Sequence, residues 1–146
     1  KKRKESKNLS SRFVLDSWAL IALLNQEQPA SSEVEKLLQT AADGQAFVAL
    51  STINLGEIYY IVGRNHGSDA AIDFLRNIKL MPIQFLPADE TRILAAARLK
   101  ITHAIAYADA CAAAAAIELN ATLLTGYPEL LKLSSKIEIQ ELMRQR

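Results

Sequence analysis

The sequence predicts an α/β domain, three layers deep, with a central and mostly parallel sheet of four or five strands between helices. Three observations carry that reading. Short runs of β-branched and aromatic residues alternate with longer runs of helical periodicity along almost the whole chain. The 146 residues are half hydrophobic and 23% charged, a balance that suits one domain with a full core. Three acids, Asp16, Glu57 and Asp109, each stand where a strand-like run gives way to a helix-like one. In an open α/β sheet such junctions lie at the crevice outside the carboxyl ends of the strands.

The elements follow in order. SRFVLD reads as the first strand and SWALIALLN as a short helix, broken by Pro29. SSEVEKLLQTAADG is an amphipathic helix, with Ser31 or Ser32 as its cap, Val34, Leu37, Leu38 and Ala41 as its apolar stripe, and Gly44 as its stop. QAFVALS is the second strand. STINLGEIYYIVGRNHG is a helix with Ser51 or Thr52 as cap and Gly67 at its end. SDAAIDFLRNIKL is a helix capped by Ser68, and MPIQFLP is the third strand. ADETRILAAARLK carries acids in its first turn and Lys100 in its last, which complements a helix dipole. AYADACAAAAAIELN is strongly helical and ends at Asn120. ATLLTG is the fourth strand, PELLKLSS a short helix with Pro128 first, and KIEIQEL a candidate final strand.

The net charge of +1 is unevenly spread. Residues 1–12 hold six Lys or Arg and one Glu, about +5, which leaves about −4 for the rest. The sequence therefore predicts a basic, disordered tail over residues 1–11 and a single domain over 12–146. No apolar stretch follows the tail, so it does not read as a secretory signal. No segment reads as membrane-spanning. The single Cys111 lies in ADACAAAAA and is expected to pack like an alanine, which fits a reducing cytoplasm. His66 and His103 lack partners at zinc-ligand spacing, and glycine-rich nucleotide loops are absent. Arg64, Arg92, Arg98 and Lys100 are candidates for phosphate contacts, and solvated faces explain them equally well.

The three acids lie 41 and 52 residues apart, so only the fold can gather them. Each has an ordinary explanation alone: Asp16 as a helix cap, Glu57 as an exposed helical Glu, Asp109 as a first-turn acid. Jointly, one follows the first strand, one follows the second, and one opens the helix that leads into the fourth. If those three strands are neighbours, all three carboxylates face one crevice. Mg²⁺ or Mn²⁺ is the natural occupant of such a set of hard oxygen donors.

The stretches VLDSWALIALL, NLGEIYYIV, ADETRILAAARLK, IAYADACAAAAAIELNATLLTG and PEL, spread over residues 12–142, resemble the PIN-domain ribonucleases, most closely the VapC-type toxins of toxin–antitoxin pairs. The resemblance implies a PIN-like fold and a metal site at Asp16, Glu57 and Asp109. It implies an endoribonuclease that cleaves RNA with a metal-activated water, held in check by a small VapB-like antitoxin and usually present as a homodimer. Residues 58–62 are a candidate contribution to that dimer. The chain departs from the family at Tyr127, where a fourth carboxylate is expected after LLTG. Glu129, two residues on, is the candidate substitute as a metal ligand, and Ser17, Thr125 and Tyr127 are candidates to support the ligands or contact substrate. Ala106 stands where a hydroxyl residue is common. Tyr127 and Ala106 favour an alternative, a PIN-fold binding or interaction module with weakened catalysis.

Overall fold

The structure, a computed structural model, describes residues 11–143. The expected tail falls outside the described residues except for Ser11, as do the last three residues of the expected domain.

Five strands form one sheet in the order β3-β2-β1-β4-β5, and every neighbouring pair is parallel. They are β1 (Arg12–Leu15), β2 (Phe47–Ser51), β3 (Gln84–Leu86), β4 (Thr122–Thr125) and β5 (Ile139–Glu141). Parallel neighbours need crossovers, and helices supply them. α1 (Ser17–Leu24) and α2 (Ala30–Ala42) join β1 to β2, and α3 (Thr52–His66) and α4 (Ser68–Ile78) join β2 to β3. α5 (Glu90–Thr102) and α6 (Tyr107–Leu119) then carry the chain back across the sheet to β4, and a 3₁₀ helix (Pro128–Leu133) leads to β5. The expected mostly parallel sheet is thus wholly parallel.

The two cores follow from strand alternation. Val14, Ala49 and Leu123 point to one face, where α5, α6 and the 3₁₀ helix cover them. Leu15, Leu50 and Leu124 point to the other, against α1, α2 and α4, with Ile58 of α3. Strands covered on both faces read as continuous apolar runs, which is how FVL and FVAL look in the sequence. α6 is the most enclosed helix: Asp109 and all of Ala110–Ala116 are buried. Its alanines let the helix axis approach the sheet and α5 closely. Cys111 is buried in the same row, and burial pushes its thiol pKa up, so it packs as expected.

Helix starts are less regular than their sequences suggest. Ser51 caps α3 by accepting from the Ile53 N–H at 3.2 Å, and Asp89 caps α5 by accepting from the Arg92 N–H at 3.0 Å. Neither Ser31 nor Ser32 caps α2, which begins one residue earlier at Ala30, after Pro29. The Gln28 side chain accepts there instead, from the Ser32 N–H and hydroxyl. Ser68 is the first helical residue of α4 rather than its cap, because Gly67 takes the cap position with φ +93°, a conformation L-residues avoid. PELLKL forms the expected short helix, as a 3₁₀ helix over Pro128–Leu133.

Candidate active site

The chain runs outward from β1 to β2 and β3, then returns to β4 on the far side of β1. The strand order therefore reverses between β1 and β4, and ligand crevices form at such a switch point. Strands β1, β2 and β4 are neighbours, as convergence of the acids requires.

Asp16 follows the last residue of β1 and is wholly buried. Its Oδ1 accepts from the Ala19 N–H at 2.8 Å and caps α1. Its Oδ2 is buried with no hydrogen-bond partner. Burial raises the Asp16 pKa to about 7. The Thr125 hydroxyl and the Ala19 N–H pull it down, and the charges of Asp109 and Glu57 push it up. Thr125, the last residue of β4 and also wholly buried, accepts from the Tyr127 N–H at 3.0 Å. It lies close enough to favour the Asp16 charge, but not in the geometry of a full hydrogen bond to Oδ2.

Glu57 reaches the same edge from the second turn of α3. It is half-buried, and its Oε1 is buried without a partner. Asp109 lies in the first turn of α6 and is 5% exposed. Its pKa is raised to about 6, first by burial, then by Glu57 and Glu129. The three carboxylates therefore feel one another electrostatically, across 93 residues of chain. Glu129, half-buried at the start of the 3₁₀ helix, joins the same field through Asp109.

Tyr127 sits among these acids. Its ring packs against both cores. Burial, followed by the charges of Asp16, Glu57, Asp109 and Glu129, pushes its pKa to about 12. The phenol is therefore neutral at any physiological pH and supplies no fourth charge. Between Thr125 and Tyr127, Gly126 lies flat against the Trp18 indole: a Cβ there would fall 2.4–2.5 Å from three ring atoms.

Asn54 was not singled out from the sequence. It lies three residues before Glu57 and is wholly buried. Its Nδ2 donates to Ser17 Oγ at 3.0 Å and to the Ala108 carbonyl at 3.1 Å, while its Oδ1 is buried without a partner. Two such bonds contribute about 0.5–1.5 kcal/mol each, and a bare buried acceptor costs about 1–3 kcal/mol, so the side chain is close to neutral for folding. Ser17, buried beside Asp16, is thereby tied to α3 as well as α1.

Other expectations resolve differently. Arg92 is committed to Glu118 through two 3.0 Å bonds and also contacts Pro87 and Asp89. Lys100 donates to the Ile105 carbonyl. Both are structural groups rather than free phosphate contacts. Arg64 lies over the Tyr60 ring at 5.2 Å, and Arg98 is exposed. Of residues 58–62, Ile58 is core, while Tyr59 and Tyr60 are exposed. Ala106 stands at the N-cap of α6 with no side-chain cap bond. His66 is exposed at the end of α3, and His103 Nδ1 faces the Leu99 carbonyl at 3.1 Å.

The residues fit a hard divalent cation by chemistry: two buried carboxylate oxygens lack partners beside a third carboxylate, and burial disfavours the bare charges of Asp16 and Asp109. The arrangement is open, however. Among the described residues, no group of three His, Cys, Asp or Glu is arranged to hold a metal ion as it stands.

The sequence pattern of the PIN domain matches residues 13–133. The chain belongs to the PIN-domain family. The resemblance read from the sequence is thereby borne out, as is the α/β/α fold with its parallel sheet. Similar solved structures share this PIN fold. VapBC2 from Rickettsia felis, bound to a DNA fragment from its promoter, has a TM-score of 0.68 at 19% identity, covering 89% of this chain and 98% of that one. VapBC-1 from nontypeable Haemophilus influenzae gives 0.66 at 19%, covering 90% and 98%. VapC20 of Mycobacterium tuberculosis, a toxin that cleaves the sarcin–ricin loop, gives 0.61 at 16%, covering 76% and 86%. No curated protein sequence matches this PIN chain. Among the described residues, no helix is long and apolar enough to cross a membrane.

Proposed function

We propose that this PIN domain, taken as residues 12–146, is a Mg²⁺- or Mn²⁺-dependent endoribonuclease and the toxin of a toxin–antitoxin pair. The observation that carries the reading is the pair of bare, buried carboxylate oxygens, Asp16 Oδ2 and Glu57 Oε1, beside Asp109 at the strand switch point. Asp16, Glu57 and Asp109 would hold the cation, with Glu129 as a fourth acid at the rim. A bound divalent ion supplies charge neutralisation at the scissile phosphate and an activated water. The residues do the rest. The Ala19 N–H fixes Asp16 through Oδ1 and leaves Oδ2 for the site. Thr125 and Ser17 line the ends of β4 and α1 beside it, and the neutral Tyr127 phenol would contact substrate as a hydrogen-bond donor rather than as a charge. The VapBC complexes that share the fold support a VapB-like antitoxin as partner; a homodimer is the further expectation from the family resemblance, and the buried thiol of Cys111 suits a reducing cytoplasm.

The test is cleavage of a structured RNA by purified protein. Cleavage should need Mg²⁺ or Mn²⁺, stop with chelator, and vanish in Asp16→Asn. Cleavage that survives both treatments would overturn the reading. A second reading is a PIN-fold interaction module with weakened catalysis, favoured by Tyr127 in place of an acid and by the open arrangement of the carboxylates. Failure of the wild-type chain to bind Mn²⁺ in calorimetry would select it.

A further inference from the structure

We propose that Asn54 is a positioning residue that sets the spacing of Asp16, Glu57 and Asp109. The proposal rests on those three carboxylates forming the cation site. Asn54 occupies the first turn of α3, and Glu57 lies three residues on, a spacing that puts both on one face of the helix. Its amide nitrogen bonds the hydroxyl of Ser17, the residue after Asp16, at 3.0 Å. The same nitrogen bonds the carbonyl of Ala108, the residue before Asp109, at 3.1 Å. One side chain thus ties together the three chain segments that carry the acids, which are 37 and 54 residues away in sequence.

The chemistry of the partners fixes the group. The Ala108 carbonyl only accepts, so the amide must present its NH₂ and not its oxygen. Carboxylates that repel one another need a neutral donor to hold their backbones at a set distance, and Asn54 gives one without adding charge. Its orphaned Oδ1 argues against a role in stability alone, since a well-packed apolar residue would serve the core without that cost. Wholly buried, it cannot touch RNA in this conformation.

Asn54→Leu keeps the branched side-chain shape, adds volume and removes the donor. The metal-free melting temperature should fall modestly, because the larger side chain overpacks the site, while the Mn²⁺ dissociation constant rises about 10–100-fold, the usual cost of losing a residue that orients ligands and more than that loss of stability explains. RNA cleavage should lose kcat at unchanged KM. Ser17→Ala, which removes one of the two links, should weaken Mn²⁺ binding in the same direction and by less. Wild-type Mn²⁺ affinity in both variants overturns the proposal, as does a loss of affinity that only tracks a fall in melting temperature. If the wild-type protein itself binds no Mn²⁺, the acidic-site reading falls and this proposal falls with it.

Discussion

Asp16 divides its work between two oxygens, one closing the first turn of α1 and the other left bare. The cap and the candidate ligand are therefore the same residue, and the sequence could not separate the two roles because a cap needs only one acceptor. Tyr127 poses the complementary case. LLTGY announced that an acid was missing, and the structure adds that the phenol stands among four carboxylates with its proton firmly held. Tyr127→Asp places a fourth carboxylate there. It should tighten Mn²⁺ binding at pH 7.5 about tenfold, read by calorimetry, as added ligand charge does for hard cations. Unchanged affinity would mean that the phenol does not limit the site. Asn54 escaped notice for a physical reason: in NLGEIYY it looks like any polar residue in a first helical turn, and its two partners come from segments that only the folded sheet brings near.

At the level of elements, the strands and helices were legible because period-2 and period-3.6 patterns are local. The strand ends were legible as well, since acids and hydroxyls follow the apolar runs directly. What was not legible is competition among neighbouring caps. Ser31, Ser32 and Ser68 all have the right chemistry, but Pro29 with Gln28, and Gly67, had already set where α2 and α4 begin. Arg92 looked free because Glu118 lies 26 residues away, on α6. Just past the end of β4, Gly126 is laid on the Trp18 indole of α1. Gly126→Ala must displace the indole or the backbone. It should lower stability by about 1–3 kcal/mol, the range for overpacking a core, measured by urea denaturation of metal-free protein. A neutral result would mean that α1 shifts freely relative to the sheet.

For the molecule as a whole, the buried acids couple charge to stability. The native pKa values of Asp16 and Asp109 are raised from 3.8 to about 7 and about 6, so between those limits the folded state holds more protons than the unfolded chain. Metal-free protein should accordingly lose stability as pH rises from about 4 through 7, by a few kcal/mol in all. It should melt at a higher temperature at pH 5 than at pH 8, and Asp16→Asn should flatten that difference. Mn²⁺ favours the ionised carboxylates, so its stabilising effect should be larger at pH 8. Thermal melts across pH, with and without Mn²⁺, check both, and a metal-free optimum near pH 8 would contradict the buried-acid account. The global arrangement was readable from the sequence only as a condition, that the first, second and fourth strands be adjacent. The sheet order meets it.

That sheet order also governs when the molecule can come into being. β1 is made first yet sits in the middle, and its partner β4 is made more than a hundred residues later. The Arg12 guanidinium reaches the Leu119 carbonyl across the same gap. Contacts so distant along the chain make for slow folding. A chain still emerging from the ribosome carries Asp16, Glu57 and even Asp109 before it carries the strand that encloses them. Assembly of the acidic edge therefore waits until β4 has been made, after all three acids are already in the chain.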